Sequence, residues 1–382
     1  MNRIGRRWVA AFGLALMAAA CESGGTAGPS EQALPIQRAP TPESEFTAKE
    51  IETTLDTLVA EFNEGAVEPM QMAILLKELG GFFTPITTGA NRAMGELGVT
   101  GNVVGPSGQG SDQQQRAEAQ GEQIVQAVAD GAEGIGVSPF GEAIAAGIEE
   151  AVADGVPVVT LDTDAKDSKR AIYVGTISEA AGVTAGETLL ALLPPAPGTV
   201  VIHGADDPSW VDGMNRMQGA RGVLEKADYK VVVRAITWSP PGEAADVEAM
   251  KALIETADPP VVGLLGLHNV SYRCAMAAEA AEAAEGAGAK RLPVVAFDFE
   301  PKTVEYLRRG RIDATHAQRQ YYAGYLVPYI LYGIKTIGLD ATKALFAPRM
   351  FDESRLNVGL DVVPSDKVEE YNAFLDSIGV VQ

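Results

Sequence analysis

From Val67 onward, short apolar runs alternate with longer stretches whose apolar positions recur every three or four residues. The runs at 70–76, 101–104, 134–138, 156–161, 199–203, 230–235, 261–265 and 292–297 are rich in Val, Ile and Leu and too short for helices. Their nearly continuous apolar character predicts strands covered on both faces, as in parallel sheets. A further strand is expected around Thr315. The stretches 83–97, 113–130, 143–154, 180–193, 214–226, 244–257 and 271–285 have helical periodicity or composition. Gly131, Gly155 and Gly310 fall just after helical stretches, where a left-handed cap is favoured. Strands alternating with helices of this length predict βαβ units, and 382 residues exceed one ordinary domain. The fold class is therefore α/β, with two doubly wound parallel-sheet lobes.

Upstream the pattern changes. Ile51, Leu55, Leu58, Val59 and Phe62 form one stripe of an amphipathic helix over 49–65, expected to pack on the outside of the domain. Residues 21–48 are dominated by Ser, Gly, Pro, Glu, Gln and Thr and read as a flexible tether. Residues 1–20 carry Arg3, Arg6 and Arg7 before an apolar run too short to span a bilayer, the pattern of an export signal. That run ends in three alanines before Cys21 and resembles a bacterial lipobox, which makes Cys21 the expected lipidation site. An ordinary secretory signal is the alternative. The Ala-rich stretch 275–284 is broken by Glu279 and Glu282 and is not expected to enter a membrane.

Charge and composition narrow the functions further. Lys and Arg total 30 against 51 Asp and Glu, a formal charge of −21 that disfavours nucleic acid and anionic lipid surfaces as partners. Two cysteines and three histidines leave no disulfide framework and no expected metal site. No nucleophile elbow and no phosphate-cradling glycine loop is present, so neither an enzyme nor a cofactor is expected.

In open parallel sheets, ligands bind off the carboxyl ends of the strands. At those positions stand Phe82 and Phe83, Ser138, Asp162 and Thr163 in the first half. Arg216, Trp238, Asn269 (beside His268), Asp298 and Gln318 hold them in the second. The side chains suit a ligand rich in hydroxyls: carboxylates accept, the guanidinium donates as a fork, amides do both, and aromatic faces cover a sugar ring. Taken singly, each has a structural alternative: Phe82 and Phe83 as core, Asp162 as a turn residue, Arg216 as a surface ion pair, Trp238 as a loop plug. Cys274, in an Ala-rich helix, is expected to be a buried apolar residue.

The segments GVPVVTLDTDAKDSKRAIYVGT from Gly155, VVAFD ending at Asp298 and HAQRQYYAGY from His316 carry a resemblance. Over about 70–333 the chain resembles the periplasmic ribose-type sugar-binding proteins of ABC transporters. The resemblance implies two lobes joined by three crossing segments: 66–176 with 319–347, and 177–318 with 348–382. It implies a monomer that closes by a hinge over a sugar and presents it to a transporter permease. It would place Phe82 and Phe83 beside the ring, with Trp238 as a stacking residue. Asp162, Arg216, Asn269, Asp298 and Gln318 would meet hydroxyls. Ser138 stands where an Asn is common, and Gly80, Thr163 and Ser178 replace an Asn, an Arg and an Asn, removing donors that a ribose site has. A sensory protein presenting its ligand to a chemoreceptor or kinase would carry the same features. A repressor of the lactose type shares the core but needs a DNA-binding segment where this chain has its signal and tether.

Overall fold

The structure, a computed structural model, describes residues 34–106, 112–208, 210–286 and 288–380. The signal over 1–20, Cys21 and the first part of the tether lie outside them. Nearly every expected strand and helix is present within a few residues of its expected bounds.

β1 (Gln71–Leu75), β2 (Thr100–Val104), β3 (Gly134–Val137), β4 (Val158–Leu161) and β5 (Ile172–Gly175) form the first sheet. β6 (Thr199–Gly204), β7 (Lys230–Ala235), β8 (Val261–Gly266), β9 (Val294–Phe297) and β10 (Ala314–Gln318) form the second. Two late strands complete them. β11 (Arg355–Asn357) adds to β5 in parallel and β12 (Leu360–Pro364) to β10 in antiparallel. The orders are β11-β5-β4-β3-β1-β2 and β12-β10-β9-β8-β6-β7, so both sheets reverse direction at equivalent places, between β1 and β3 and between β6 and β8. Those are the crevices where doubly wound sheets bind ligands.

β11 corrects the expected boundary. Residues from 348 were assigned to the second lobe, but β11 pairs in the first sheet and the chain crosses only at Val358–Gly359. A three-residue strand is too short to leave a periodic signal. The three crossings lie side by side. The Val358 amide donates to the Gly175 carbonyl at 3.0 Å, and the Thr176 hydroxyl to the Gly359 carbonyl at 3.3 Å. Arg319, on the third crossing, pairs with the buried Asp361 at 2.7 Å.

The tether is also corrected in part. Residues 35–48 pack against the folded lobes, with Ile36, Phe46 and Ala48 buried. Three apolar anchors in a polar stretch are invisible to composition, yet they suffice once Arg38 is paired with Glu52 and Asp56. The amphipathic helix (Lys49–Glu64) follows and buries Ile51, Leu55, Leu58 and Phe62 as expected. It lies on the helix Gln320–Thr336, whose tyrosines each find a hydroxyl partner. Tyr325 and Tyr329 donate to Glu96, Tyr321 accepts from Arg92, Tyr322 from the Ala48 amide, and Tyr332 from the Glu68 amide. Among the described residues no helix is long and apolar enough to cross a membrane. Cys274 is fully buried.

Two buried devices position the segments that reach the crevice. The first is close backbone packing. A Cβ on Gly182 would lie 1.9 Å from the Arg216 carbonyl, and one on Gly219 2.3 Å from the Glu179 carbonyl, so the helices Ser178–Leu190 and Val211–Lys226 touch main chain to main chain. Gly89 and Gly324 do the same for the first lobe, against Tyr321 and Ile86. The second device is an ionic knot around Asp246, which is fully buried. His203 from β6 lies 2.9 Å away, Arg234 from β7 3.2 Å, and Arg273 from the helix Tyr272–Glu285 2.7 Å. Burial alone would raise the Asp246 pKa, but the bonds from His203, Thr237 and Arg273 hold it well below the ordinary carboxylate range. The Thr237 amide donates to Asp246 at 3.1 Å and Arg273 donates to the Thr237 carbonyl at 3.0 Å, fixing the residue before Trp238.

Gly182→Ala is expected to cost about 1–3 kcal/mol by overpacking this seam, read from chemical denaturation. Asp246→Ala is expected to cost about 3–5 kcal/mol, because it strands Arg273 and Arg234 as unpaired charges. A stability loss below about 1 kcal/mol for Asp246→Ala would show that these cations find water instead.

Candidate functional site

The two crevices face each other across a cleft of about 250 Å³. Phe82, Phe83, Asp162 and Thr163 line it from the first lobe, and Arg216, Trp238, Asn269, Asp298 and Gln318 from the second. Nine of the ten expected ligand contacts therefore meet in one space. Ser138 does not line it. It is fully buried behind Asp162, and its hydroxyl donates to the carboxylate at 3.1 Å, because β3 ends one layer deeper than β4.

Each sheet delivers its aspartate in the same unusual way. Asp162 follows β4 and Asp298 follows β9, and both are left-handed, with φ of 64° and 65°. Non-glycine residues rarely adopt this conformation, Asp being among the more tolerant. The next strand pins each one: the Tyr173 hydroxyl donates to the Asp162 carbonyl at 3.0 Å, and the Thr315 hydroxyl to the Asp298 carbonyl at 2.7 Å. Their amides donate to Val174 and His316. The kink turns both carboxylates away from the sheets and into the cleft.

The charges are arranged unequally. Lys77 lies 2.9 Å from the Asp162 carboxylate and donates to the Thr163 hydroxyl at 2.6 Å. Asp298 is more deeply buried, and desolvation pushes its pKa up to about 6 against the pull of Arg216 and a 2.9 Å bond from Gln318. Asp212 is likewise raised to about 6, chiefly by burial and despite Arg216. Arg216 itself is buried with its plane over Phe297, 4.0 Å from the ring centre. One terminal nitrogen donates to the Leu267 carbonyl at 2.9 Å and reaches His268 Nδ1 at 3.3 Å. Burial, with Arg216 adjacent, drives the His268 pKa well below its ordinary value, so the ring is neutral. It lies 4.1 Å from the Trp210 ring. Arg216 Nε and His268 Nε2 are buried without a hydrogen-bond partner among the described residues. Buried donors of this kind call for an acceptor.

Lys77, Glu78, Trp210 and Asp212 also line the cleft and escaped the sequence reading. Lys77 is the second residue beyond β1, and Trp210 and Asp212 open the helix that carries Arg216. The strand-end rule reaches them as it reaches Phe82 and Arg216. His203, near the end of β6, belongs to the Asp246 knot and does not line the cleft. Among the described residues, no group of three His, Cys, Asp or Glu side chains is placed to hold a metal ion.

Comparison with known proteins agrees with this geometry. The family model described as a periplasmic binding protein domain matches residues 72–337. A sugar-binding protein of a sugar ABC transporter from Bacillus halodurans is similar at 22% identity with a TM-score of 0.64, covering 80% of this chain and 100% of its own. An arabinose-binding protein from Geobacillus stearothermophilus is similar at 24% and 0.63, covering 80% and 99%. An ABC transporter solute-binding protein from Burkholderia graminis, in complex with D-arabinose, is similar at 25% and 0.60, covering 79% and 97%. No curated protein sequence matches the chain. With more than half of its length matched and the ligand crevices of both sheets facing each other, the chain belongs to the periplasmic binding protein family.

Proposed function

We propose that this protein is an extracytoplasmic solute-binding protein that closes its two lobes over a small neutral sugar and delivers it to an ABC transporter permease. The observation that carries the reading is the pair of unpartnered buried donors, Arg216 Nε and His268 Nε2, in a cleft that also presents Asp162, Asp298, Asn269 and Gln318. A sugar hydroxyl both accepts and donates, so one ligand class satisfies all of them. Phe82, Phe83 and Trp238 supply aromatic surface for the ring faces. Because the walls belong to different lobes, the ligand gains its full contact set only when they approach, which biases an open–closed equilibrium. The arabinose complex from Burkholderia graminis and a relative from Actinobacillus succinogenes solved with D-allose support a monosaccharide-sized ring in such a cleft. The working unit in this reading is a monomer. The signal-like residues 1–20 and Cys21 support export and lipid anchoring, with the protein held at the membrane surface by its acyl chains.

Calorimetric titration with pentoses and hexoses tests the function, and failure of every sugar to bind removes it. For a sugar that binds, Arg216→Ala is expected to weaken affinity by about 1.5–3 kcal/mol, the scale of a hydrogen bond to a charged group. Affinity is also expected to fall between pH 7.5 and 5. Asp298 and Asp212, both near 6, then take up protons and lose acceptor capacity for ligand hydroxyls. A pH-independent affinity over that range would exclude both carboxylates from the binding step.

A further inference from the structure

We propose that the cleft continues into a second subsite, so that the preferred ligand is a glycoside of two sugar rings; this rests on the function proposed above. Trp210 and Trp238 meet edge to face with centroids 5.7 Å apart, and beyond them lies a further chamber of about 560 Å³. Lys77, Trp210 and Trp238 line both spaces, so the two adjoin across these side chains. The inner one falls below the ~300 Å³ at which small-molecule pockets usually begin, and a single ring fills it. The outer one is about twice as large.

The outer walls carry the chemistry of a sugar platform. Phe140 from the first lobe faces a chamber that Trp238 lines from the second, and Trp238 is 55% exposed. Phe140 is held in place: its amide donates to the Gln120 side-chain oxygen at 3.0 Å and its carbonyl accepts from Gln113 at 2.7 Å. The Arg116 guanidinium lies 5.2 Å from the Phe140 ring centre and lines the chamber without an ion pair among the described residues, and Asp206 adds an acceptor to the same walls. A ring bound only in the inner space leaves in water the part of Trp238 that lines the outer chamber; a second ring covers it.

The test titrates the wild type, Phe140→Ala and Arg116→Ala with D-glucose, D-galactose and D-arabinose, and with cellobiose, maltose, lactose and melibiose. Tryptophan fluorescence follows Trp210 and Trp238 alongside the heat. At least one disaccharide is expected to bind about tenfold tighter than its component rings. Phe140→Ala and Arg116→Ala are expected to cost that disaccharide about fivefold or more while leaving monosaccharide affinity within about twofold. Arg116 is exposed, so its variant keeps the fold intact. Monosaccharides that bind as tightly as every disaccharide, with both variants indifferent to ligand size, overturn the subsite alone. No binding by any sugar overturns the function and the subsite together.

A different observation supports a second inference: the segment before the amphipathic helix is a strap across the lobe junction. Glu45 pairs with Lys367 at 3.0 Å, and Phe46 packs on Tyr371 and Phe374 at 4.9 and 6.2 Å. These belong to the second lobe, whose helix Val368–Ser377 contacts β12. Two residues later the Ala48 amide donates to Tyr322 of the first lobe at 3.2 Å. We infer that the strap restrains the relative placement of the lobes. Small-angle scattering of ligand-free wild type and Phe46→Ala decides it. The variant is expected to show a shifted or broadened distance distribution, and an unchanged profile overturns the strap even where the variant melts at lower temperature.

Discussion

The site depends on one backbone constraint used twice. At the end of the fourth strand of each sheet the chain turns into the left-handed region on an aspartate, against the ordinary preference of an L-residue. A glycine there would be conformationally easier but would contribute no carboxylate. The strain, of order 1–3 kcal/mol per residue, persists because the following strand supplies a hydroxyl to the strained carbonyl, Tyr173 in one lobe and Thr315 in the other. Gly175 makes room for that tyrosine, since a Cβ there would meet its hydroxyl at 2.2 Å. The two acids that face each other across the cleft are thus set by their sheets rather than by their loops.

Around that constraint, the second lobe carries more rigid support than the first. Arg216 is fixed from behind by helix packing without intervening side chains and from above by Phe297. The Trp238 loop hangs from the Asp246 knot, which ties β6, β7 and two helices into one unit. In the first lobe the corresponding work falls to Lys77, a flexible side chain bridging Asp162 and Thr163. The second-lobe wall of the cleft is thus braced by buried packing and ion pairs, while the polar groups of the first-lobe wall are held by one partly exposed lysine.

The sheets were legible because their strands are unbroken apolar runs, and the cleft was legible because strand order alone says where such sheets bind. What was hidden has physical causes. β11 is three residues long and its pairing is decided by the crossing geometry at Val358, not by its own composition. The arm at 35–48 looks like a tether because its burial rests on three apolar side chains and the pairing of Arg38 rather than on periodicity. Ser138 and Asp162 carry equal weight in the sequence, and only the depth at which β3 and β4 end makes one a support for the other. Lys77 carries no distinctive signal: two residues beyond a strand that ends at Leu75, a lysine is most often a solvated loop residue.

The balance of charge in the cleft favours a neutral polar ligand over an anionic one. Glu78, Asp162, Asp212 and Asp298 outnumber Lys77 and Arg216, and Lys77 is already engaged by Asp162. A phosphorylated or carboxylated sugar would bring a further negative charge beside two desolvated acids whose own ionisation is already disfavoured. In a low-dielectric cleft, that repulsion is poorly screened. A neutral polyol brings hydroxyl protons to the carboxylates and lone pairs to Arg216 and His268 without adding charge. On the proposed reading, selectivity against anionic sugars would follow from the excess of acids, and selectivity among neutral ones from which hydroxyls reach the two fixed aspartates.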